Sequence, residues 1–202
     1  VQTNGRGRRK STWVSKNEDL LATWSIRKKI LEEIKPGLLQ VLIGAKISEI
    51  IHQYCKWPND IVDENGKKIG GVLIEMDSEN DKLRVGLGIN QFSSIIENLK
   101  IKGWKERNPE LDVDALFPII DAELSTLFEE HPLLDLKINV DMMKLESWRS
   151  LTKLLSRGYS LNSKTGSSRV TKLNQDGELS ITSFGHQEKI CDLDSLKWSF
   201  NA

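Results

Sequence analysis

Cysteine and histidine are scarce in this 202-residue chain, and neither is spaced like a set of metal ligands. The two cysteines, Cys55 and Cys191, are far apart, which excludes a disulfide framework and a four-cysteine zinc site. The three histidines show no metal-binding spacing either. Because no signal-peptide pattern is present, we expect a reducing, cytoplasmic environment.

An excess of one charge sign and long apolar runs are also lacking. The 29 basic and 29 acidic side chains cancel, which argues against a nucleic-acid coat protein or an acidic tail protein. No apolar run approaches the roughly 20 residues that a membrane-spanning helix needs, so no membrane partner is expected. With 38% hydrophobic residues, the chain has enough apolar material for a folded globular protein.

The first 90 residues predict a buried helix followed by an antiparallel sheet. Residues 19–26 favour a strand, and Pro36-Gly37 predicts a break in the chain. Apolar residues at three- and four-residue steps predict a largely buried helix over 38–54. The Asn65-Gly66 turn signal and the runs beside it predict an antiparallel meander over 56–90.

The second half predicts helices and then a change to β-structure. Residues 93–130 favour mainly helix, with Pro118 in a first turn, where its missing N–H costs least. A second helix is predicted over 139–155. From residue 156 to 202 short β-type runs alternate with turns such as Asp176-Gly177, which predicts a small β-domain leaning on the larger one.

Residues 1–17 contain five cations and no acid, with glycines between the arginines. Arg6 and Arg8 offer planar sets of donors to a phosphate or carboxylate, and glycine lets backbone N–H groups approach an anion. The segment therefore predicts either a loop over an anionic ligand or a solvated basic arm, which could touch nucleic acid. Trp13 suits stacking on a purine ring, or packing that fixes the loop to the core.

Two glycine-bearing strands predict bare backbone beside a positive charge. Gly86, Gly88 and Asn90 alternate with apolar residues, so they share the opposite face of one strand. A flat ligand could lie there; a bulge or close helix packing is the alternative. Lys68 precedes Gly70-Gly71 and could offset charge that develops when two anions are joined, or it could be a surface lysine, as we expect of Lys67.

The segment Lys56-Trp57-Pro58-Asn59-Asp60 is, by composition, a polar turn. Asp60 could cap backbone N–H groups, and Lys56 could face an anion. No Ser/His/Asp arrangement, metal cluster or Walker-type phosphate loop is evident.

Four motifs taken together resemble those of the biotin–protein ligases. In chain order they are Gln2-Thr3-Asn4-Gly5-Arg6-Gly7-Arg8-Arg9, Lys56-Trp57-Pro58-Asn59-Asp60, Lys68-Ile69-Gly70-Gly71-Val72-Leu73-Ile74-Glu75 and Val85-Gly86-Leu87-Gly88-Ile89-Asn90. The resemblance is strong over residues 2–90 and weaker around Asp176-Gly177.

The resemblance implies an α+β fold, with a mixed or antiparallel sheet backed by helices as in class II synthetase-like catalytic domains. It implies a catalytic domain over 1–155 and a small SH3-like β-barrel over 156–202. The family's catalytic domain begins earlier, with a Ser/Thr-bearing biotin contact, so we expect an upstream segment that this sequence lacks.

The same resemblance implies a two-step ligase. Biotin and ATP, with Mg²⁺, would give biotinyl-5′-AMP and pyrophosphate, and the biotinyl group would pass to one lysine of a biotin carboxyl carrier protein or carboxylase carrier domain. A homodimer is possible; no nucleic-acid partner is expected.

The resemblance also assigns site residues. Lys68 and Arg8 would be catalytic, and the protein would supply no metal ligands. The residues that would bind biotin are Gln2, Gly5, Arg6, Gly7, Arg8, Lys68 and Gly71. The residues that would bind ATP or the adenylate are Trp13, Lys56, Asn59, Asp60, Gly88 and Asn90.

The sequence departs from the family pattern at two places in the first motif's surroundings. Lys10-Ser11 stands where Gly-Arg commonly follows, and Glu18-Asp19 replaces a Gly-Asn-type turn. Two alternatives therefore stay open: a degenerate or lipoyl-type relative without ligase activity, and a nucleic-acid-binding module that uses the basic arm, with affinity that falls with salt.

Overall fold

Within the residues that it describes, a computed structural model shows two antiparallel five-stranded sheets, two two-stranded hairpins and three α-helices. It describes residues 5–7, 11–16, 18–77, 79–96, 99–128, 140–163, 166–183, 185–190 and 197–200. Helices α1, α2 and α3 span Pro36–Ile50, Val113–Phe128 and Val140–Leu155. Two short 3₁₀ turns span Lys28–Glu32 and Trp104–Glu106.

The strands begin with a small hairpin and end in a second sheet. They are β1 Gly5–Arg6, β2 Thr12–Trp13, β3 Leu20–Arg27, β4 Tyr54–Lys56, β5 Asp60–Val62, β6 Lys68–Asp77, β7 Lys82–Ile89, β8 Ser94–Ile96, β9 Leu99–Ile101, β10 Tyr159–Ser163, β11 Gly166–Leu173, β12 Leu179–Ser183, β13 His186–Ile190 and β14 Lys197–Phe200.

The main sheet has the strand order β3-β7-β6-β5-β4, so the meander predicted over 56–90 is confirmed. Val85, Leu87 and Ile89 are buried on one face of β7, as their period of two predicts. The Asn65-Gly66 hairpin is also confirmed, although its loop spans 63–67, with Gly66 at φ +72°.

Helix α1 is the buried layer beneath this sheet, and its bounds differ from the prediction. Pro36 occupies the first turn and begins the helix instead of breaking the chain, because the first turn needs no N–H donor there. The helix ends at Ile50, four residues early, because His52 takes a left-handed φ of +52° and Tyr54 belongs to β4.

The helix predicted over the first part of 93–130 is wrong. β8 and β9 pair as a short antiparallel hairpin there, which suits β-branched residues such as Ile95 and Ile101. α2 begins at Val113, where the Asp112 carboxylate accepts the Ala115 N–H at 2.9 Å. Pro118 is therefore the sixth helical residue and not in the first turn.

The helix predicted over 139–155 is confirmed as α3. After it, the second sheet has the order β13-β12-β11-β10-β14, and Asp176-Gly177 forms the β11–β12 turn as predicted, with Gly177 at φ +87°. Its apolar residues join the same buried cluster as the main sheet, which agrees with a sheet too small to hold a core alone. The division at residue 155 and the closure into a barrel stay predictions.

Candidate functional site

One row of paired residues crosses the main sheet and carries four of the predicted ligand contacts. In register across β4, β5, β6, β7 and β3, the row is Lys56, Asp60, Gly71, Gly88 and Leu21. Directly paired residues point to the same face of a sheet. The charged pair and the two glycines therefore share one face.

The neighbouring row shows that this face is opposite the core. Its members are Cys55, Ile61, Gly70, Ile89 and Leu20. All five are buried. Burial raises the pKa of the Cys55 thiol to about 12, with smaller contributions from Asp60 and Glu49. The thiol stays protonated at neutral pH, so it is not a nucleophile.

A carboxylate between two ammonium groups forms the charged end of the site. Lys68 Nζ lies 2.6 Å from Asp60 Oδ1, and Lys56 Nζ lies 4.0 Å from Asp60 Oδ2. Burial lowers the pKa of Lys56; the Asp60 charge opposes this shift and the Lys68 charge adds to it. Two cations share one anion, which leaves the trio with a positive charge for an anionic ligand.

The glycines leave room for this lysine and for an aromatic ring. A Cβ at Gly71 would lie 3.5 Å from Lys68 Nζ, and a Cβ at Gly88 would lie only 2.7 Å from Trp13 Cε2. The indole of Trp13 therefore lies on the bare backbone of β7, which is the packing that the sequence left open beside purine stacking. Lys68 Nζ is 5.6 Å from the centroid of this ring.

The described part of the basic segment 1–17 forms a hairpin, which positions Trp13 against the main sheet. β1 pairs with β2, so that Gly5 lies opposite Trp13, and the Gly7 N–H donates to Ser11 O at 2.7 Å. Arg6 is exposed on this hairpin. The predicted contacts Gln2 and Arg8 lie outside the described residues.

Trp13 also carries the one orphaned indole donor among the described side chains. Its Nε1 is buried and has no hydrogen-bond partner in the described part of the chain. A buried donor without a partner is costly. A ligand that supplied an acceptor or displaced the ring from Gly88 would remove that cost.

The two asparagines support the backbone around the site. Asn59 Nδ2 donates to Val72 O at 3.1 Å, while the Val72 N–H donates to Asn59 O at 2.9 Å. Asn90 is buried, and its backbone N–H donates to Ile69 O at 2.8 Å. Asn59 thus binds β6 through its side chain and its backbone, and Asn90 binds β6 through its backbone.

A cap of the kind considered for Asp60 is found in the next loop, where Asp63 makes it. Asp63 Oδ1 accepts the backbone N–H groups of Asn65 and Lys67, at 2.9 and 2.8 Å. Asp60 pairs with lysines instead, because the strand register places Lys56 directly opposite it.

Sequence reasoning missed the connection between this site and the second sheet. Trp57, within the motif that composition marks as a turn, is 1% exposed and donates from Nε1 to Gly177 O at 2.8 Å. The partners are 120 residues apart, so no local pattern could reveal the contact.

The described residues do not build a metal site of their own. No group of three or more histidine, cysteine, aspartate or glutamate side chains within them could hold a metal ion. Likewise, none of the helices in the described ranges combines the length and apolar character of a membrane span.

Comparison with known proteins finds similar sequences for the first half of the chain. The profile of the biotin/lipoate A/B protein ligase family matches residues 1–91. Over 98 residues the chain is 37% identical to the bifunctional ligase/repressor BirA of Bacillus spizizenii, a match covering 44% of this chain and 30% of that protein. Over 105 residues it is 28% identical to biotin–protein ligase 1, chloroplastic, of Arabidopsis thaliana, covering 44% of this chain and 27% of that protein. The matched segment thus spans about a third of these relatives.

Solved structures extend the similarity to the second sheet. The Aquifex aeolicus biotin protein ligase in complex with biotin and ATP superposes with a TM-score of 0.69 at 24% identity, covering 99% of this chain and 86% of that one. The Leishmania major biotin protein ligase in complex with biotinyl-5-AMP gives 0.55 at 20% identity, covering 95% and 85%. The resemblance inferred from the four motifs and the α+β fold class are thereby confirmed. Residues 1–91 of this chain thus resemble the biotin/lipoate A/B protein ligase family, and the chain has the fold of the solved biotin protein ligases.

Proposed function

We infer that this protein is a biotin–protein ligase, which activates biotin with ATP and transfers it to a lysine of a carboxylase carrier domain. The observation that carries the proposal is the placement of Lys68 beside two glycines and an aromatic ring on one face of the sheet. The family match and the ligands named for the similar solved structures support it.

The first step would join two anions. A carboxylate oxygen of biotin attacks the α-phosphorus of ATP, an acyl–phosphate bond forms, and the bond to the β-phosphate breaks, which releases pyrophosphate. The two anions repel each other, so a cation between them lowers the barrier. We assign this role to Lys68 and Arg8, with Arg6 closing the basic hairpin over the ligand.

The nucleotide would take the other end of the site. Trp13 would stack on the adenine; Asn90, Gly88, Asn59, Lys56 and Asp60 would lie near the nucleotide or support it. The biotin side would be Gln2, Gly5, Gly7 and Gly71. Mg²⁺ would be held mainly by the phosphates of ATP.

In the second step the acceptor lysine's amine attacks the acyl carbon, an amide forms, and AMP leaves. A hairpin closed over the ligand would exclude the water that otherwise hydrolyses the mixed anhydride. The carrier domain, a homodimer and a cytoplasmic location stay predictions.

The test measures biotin-dependent release of pyrophosphate from ATP and Mg²⁺ by the full chain, together with label transfer to a carrier domain. We expect Lys68→Ala to lower adenylation by about 100-fold or more, and Lys67→Ala, its exposed neighbour, to leave the rate within about twofold. Both variants should show the unfolding transition of the parent protein.

Three outcomes would contradict the proposal. A parent protein without biotin-dependent product and without a thermal shift by biotin is not a biotin ligase. A thermal shift by lipoate and none by biotin would indicate a lipoyl-type relative. Adenylation at the parent rate by Lys68→Ala would remove Lys68 from its role.

A further inference from the structure

The turn that joins Lys56 to Asp60 sets the position of the site carboxylate. β4 ends at Lys56, β5 begins at Asp60, and only residues 57–59 separate them. The two residues are paired across this turn, and Asp60 in turn holds Lys68 at 2.6 Å. Whatever holds the turn therefore also determines where the Lys68 ammonium lies.

Trp57 is the residue of this turn that the rest of the chain holds. Its indole N–H donates to Gly177 O at 2.8 Å, and its own carbonyl accepts the indole N–H of Trp198 at 3.0 Å. Both partners of Trp57 belong to the second sheet: the acceptor Gly177 lies in the β11–β12 turn, and the donor Trp198 lies in β14. The second sheet thus binds Trp57 through both its side chain and its main chain.

The β11–β12 turn, which contains the acceptor Gly177, lies close to α1. A Cβ at Gly37 would come within 2.5 Å of Asp176 O, so the β11–β12 turn touches the first turn of α1. Gln40 of the same helix donates to Pro58 O, the next carbonyl of the Lys56–Asp60 turn, at 3.4 Å. The turn therefore lies between a core helix and the second sheet.

We propose that Trp57 is a positioning residue, which holds the Asp60 carboxylate against Lys68 because the second sheet holds its indole and its carbonyl. The kinetic consequence rests on the proposed function, whereas the ion pair can be measured without it. Trp57 is 1% exposed, so its effect on the site passes through Asp60.

The first experiment measures the reactivity of the Lys68 amine in the full chain. Trace acetylation with acetic anhydride is followed by mass spectrometry, with exposed Lys67 as the internal reference. We expect Trp57→Phe and Trp198→Phe each to raise the relative labelling of Lys68 by about two- to fivefold, the range for loss of an exposed ion pair. Asp60→Asn defines the value for an unpaired Lys68.

A double variant distinguishes an effect of Trp57 on the position of Asp60 from a general destabilisation of the fold. If Trp57 acts through Asp60, Trp57→Phe should add nothing to the labelling in the Asp60→Asn background. Trp24→Phe is the matched control, because it removes an indole donor to Asp121 from the opposite face of the sheet and should leave Lys68 labelling unchanged.

The kinetic readout uses the KM for biotin. A smaller folded fraction lowers kcat alone, whereas a displaced Lys68 raises KM as well, so we expect a rise of about fivefold or more in Trp57→Phe and none in Trp24→Phe. Where Trp57→Phe does not fold, Trp198→Phe gives the result. Folded variants with parent-like Lys68 labelling would overturn the inference, whereas a parent without biotin-dependent activity would overturn only the proposed function.

Discussion

Two glycines on the same face of β7 make different contributions to the site. A Cβ at Gly86 would meet nothing nearer than 3.6 Å, which is ordinary contact, whereas a Cβ at Gly88 would overlap the Trp13 ring at 2.7 Å. Both were predicted to offer bare backbone to a ligand. In the structure only Gly88 is required to be bare, because the aromatic ring lies directly on it.

We therefore expect Gly88→Ala to displace Trp13 from the sheet and to lower adenylation by about tenfold or more, while Gly86→Ala stays within about threefold of the parent. The ring displacement is measured by tryptophan fluorescence, and the rate by pyrophosphate release. The prediction is wrong if both alanine variants behave alike in fluorescence and in rate.

At the scale of elements, the β8–β9 hairpin is tied to the following 3₁₀ turn by one carboxylate. Glu106 accepts from Lys102 Nζ at 2.6 Å and from the Ser93 hydroxyl, and Ser93 Oγ accepts the Gly103 N–H at 3.2 Å. The hydrogen bond from Lys102, followed by that from Ser93, lowers the pKa of Glu106 below its ordinary value of 4.5. The ionised form is therefore favoured in the folded state.

This shift has a definite sign for stability. Because the pKa of Glu106 is lower in the folded than in the unfolded chain, its contribution is present above pH 4.5 and is lost as pH falls through the folded pKa. We expect Glu106→Gln to unfold at a lower urea concentration than the parent at pH 7, with the difference shrinking as the pH falls below 4.5. Glu110→Gln serves as the control; a difference that persists undiminished at pH 3 would contradict the assignment.

At the scale of the whole molecule, the second sheet contacts α1 through backbone atoms. Gly177 has a φ of +87°, and a Cβ there would overlap the backbone of Gly37 and Leu38. Gly185 has a similar φ of +81°, with open space around its Cβ position. The two glycines thus share a conformational requirement, but only Gly177 also has a packing requirement.

This pair allows the interface to be measured. We expect Gly185→Ala to lower the free energy of unfolding by about 1 kcal/mol, the cost of a positive φ. We expect Gly177→Ala to cost about 2 kcal/mol more, because the β11–β12 turn must move away from α1. Equilibrium denaturation of both variants tests this. Equal losses would show that the contact at Gly177 contributes nothing to stability.

Patterns within one element were readable from the sequence because their physics is local. The period of two in Val85, Leu87 and Ile89 predicted a strand with one buried face, and Asp176-Gly177 predicted a hairpin turn from the conformational freedom of glycine. Where competing local signals met, the prediction failed. The isoleucines of 94–101 pair as strands, and Pro36 begins a helix instead of ending the segment before it.

By itself the sequence determined the meander and the residue types of the candidate site, since spacing and composition act over a few residues, and the resemblance of its four motifs implied the α+β class. Only the tertiary structure decided that Asp60 pairs with Lys68, that Trp13 lies on Gly88, and that Trp57 binds Gly177 across 120 residues of chain. Such contacts depend on strand register and on how two sheets pack, and no periodicity within one segment specifies either.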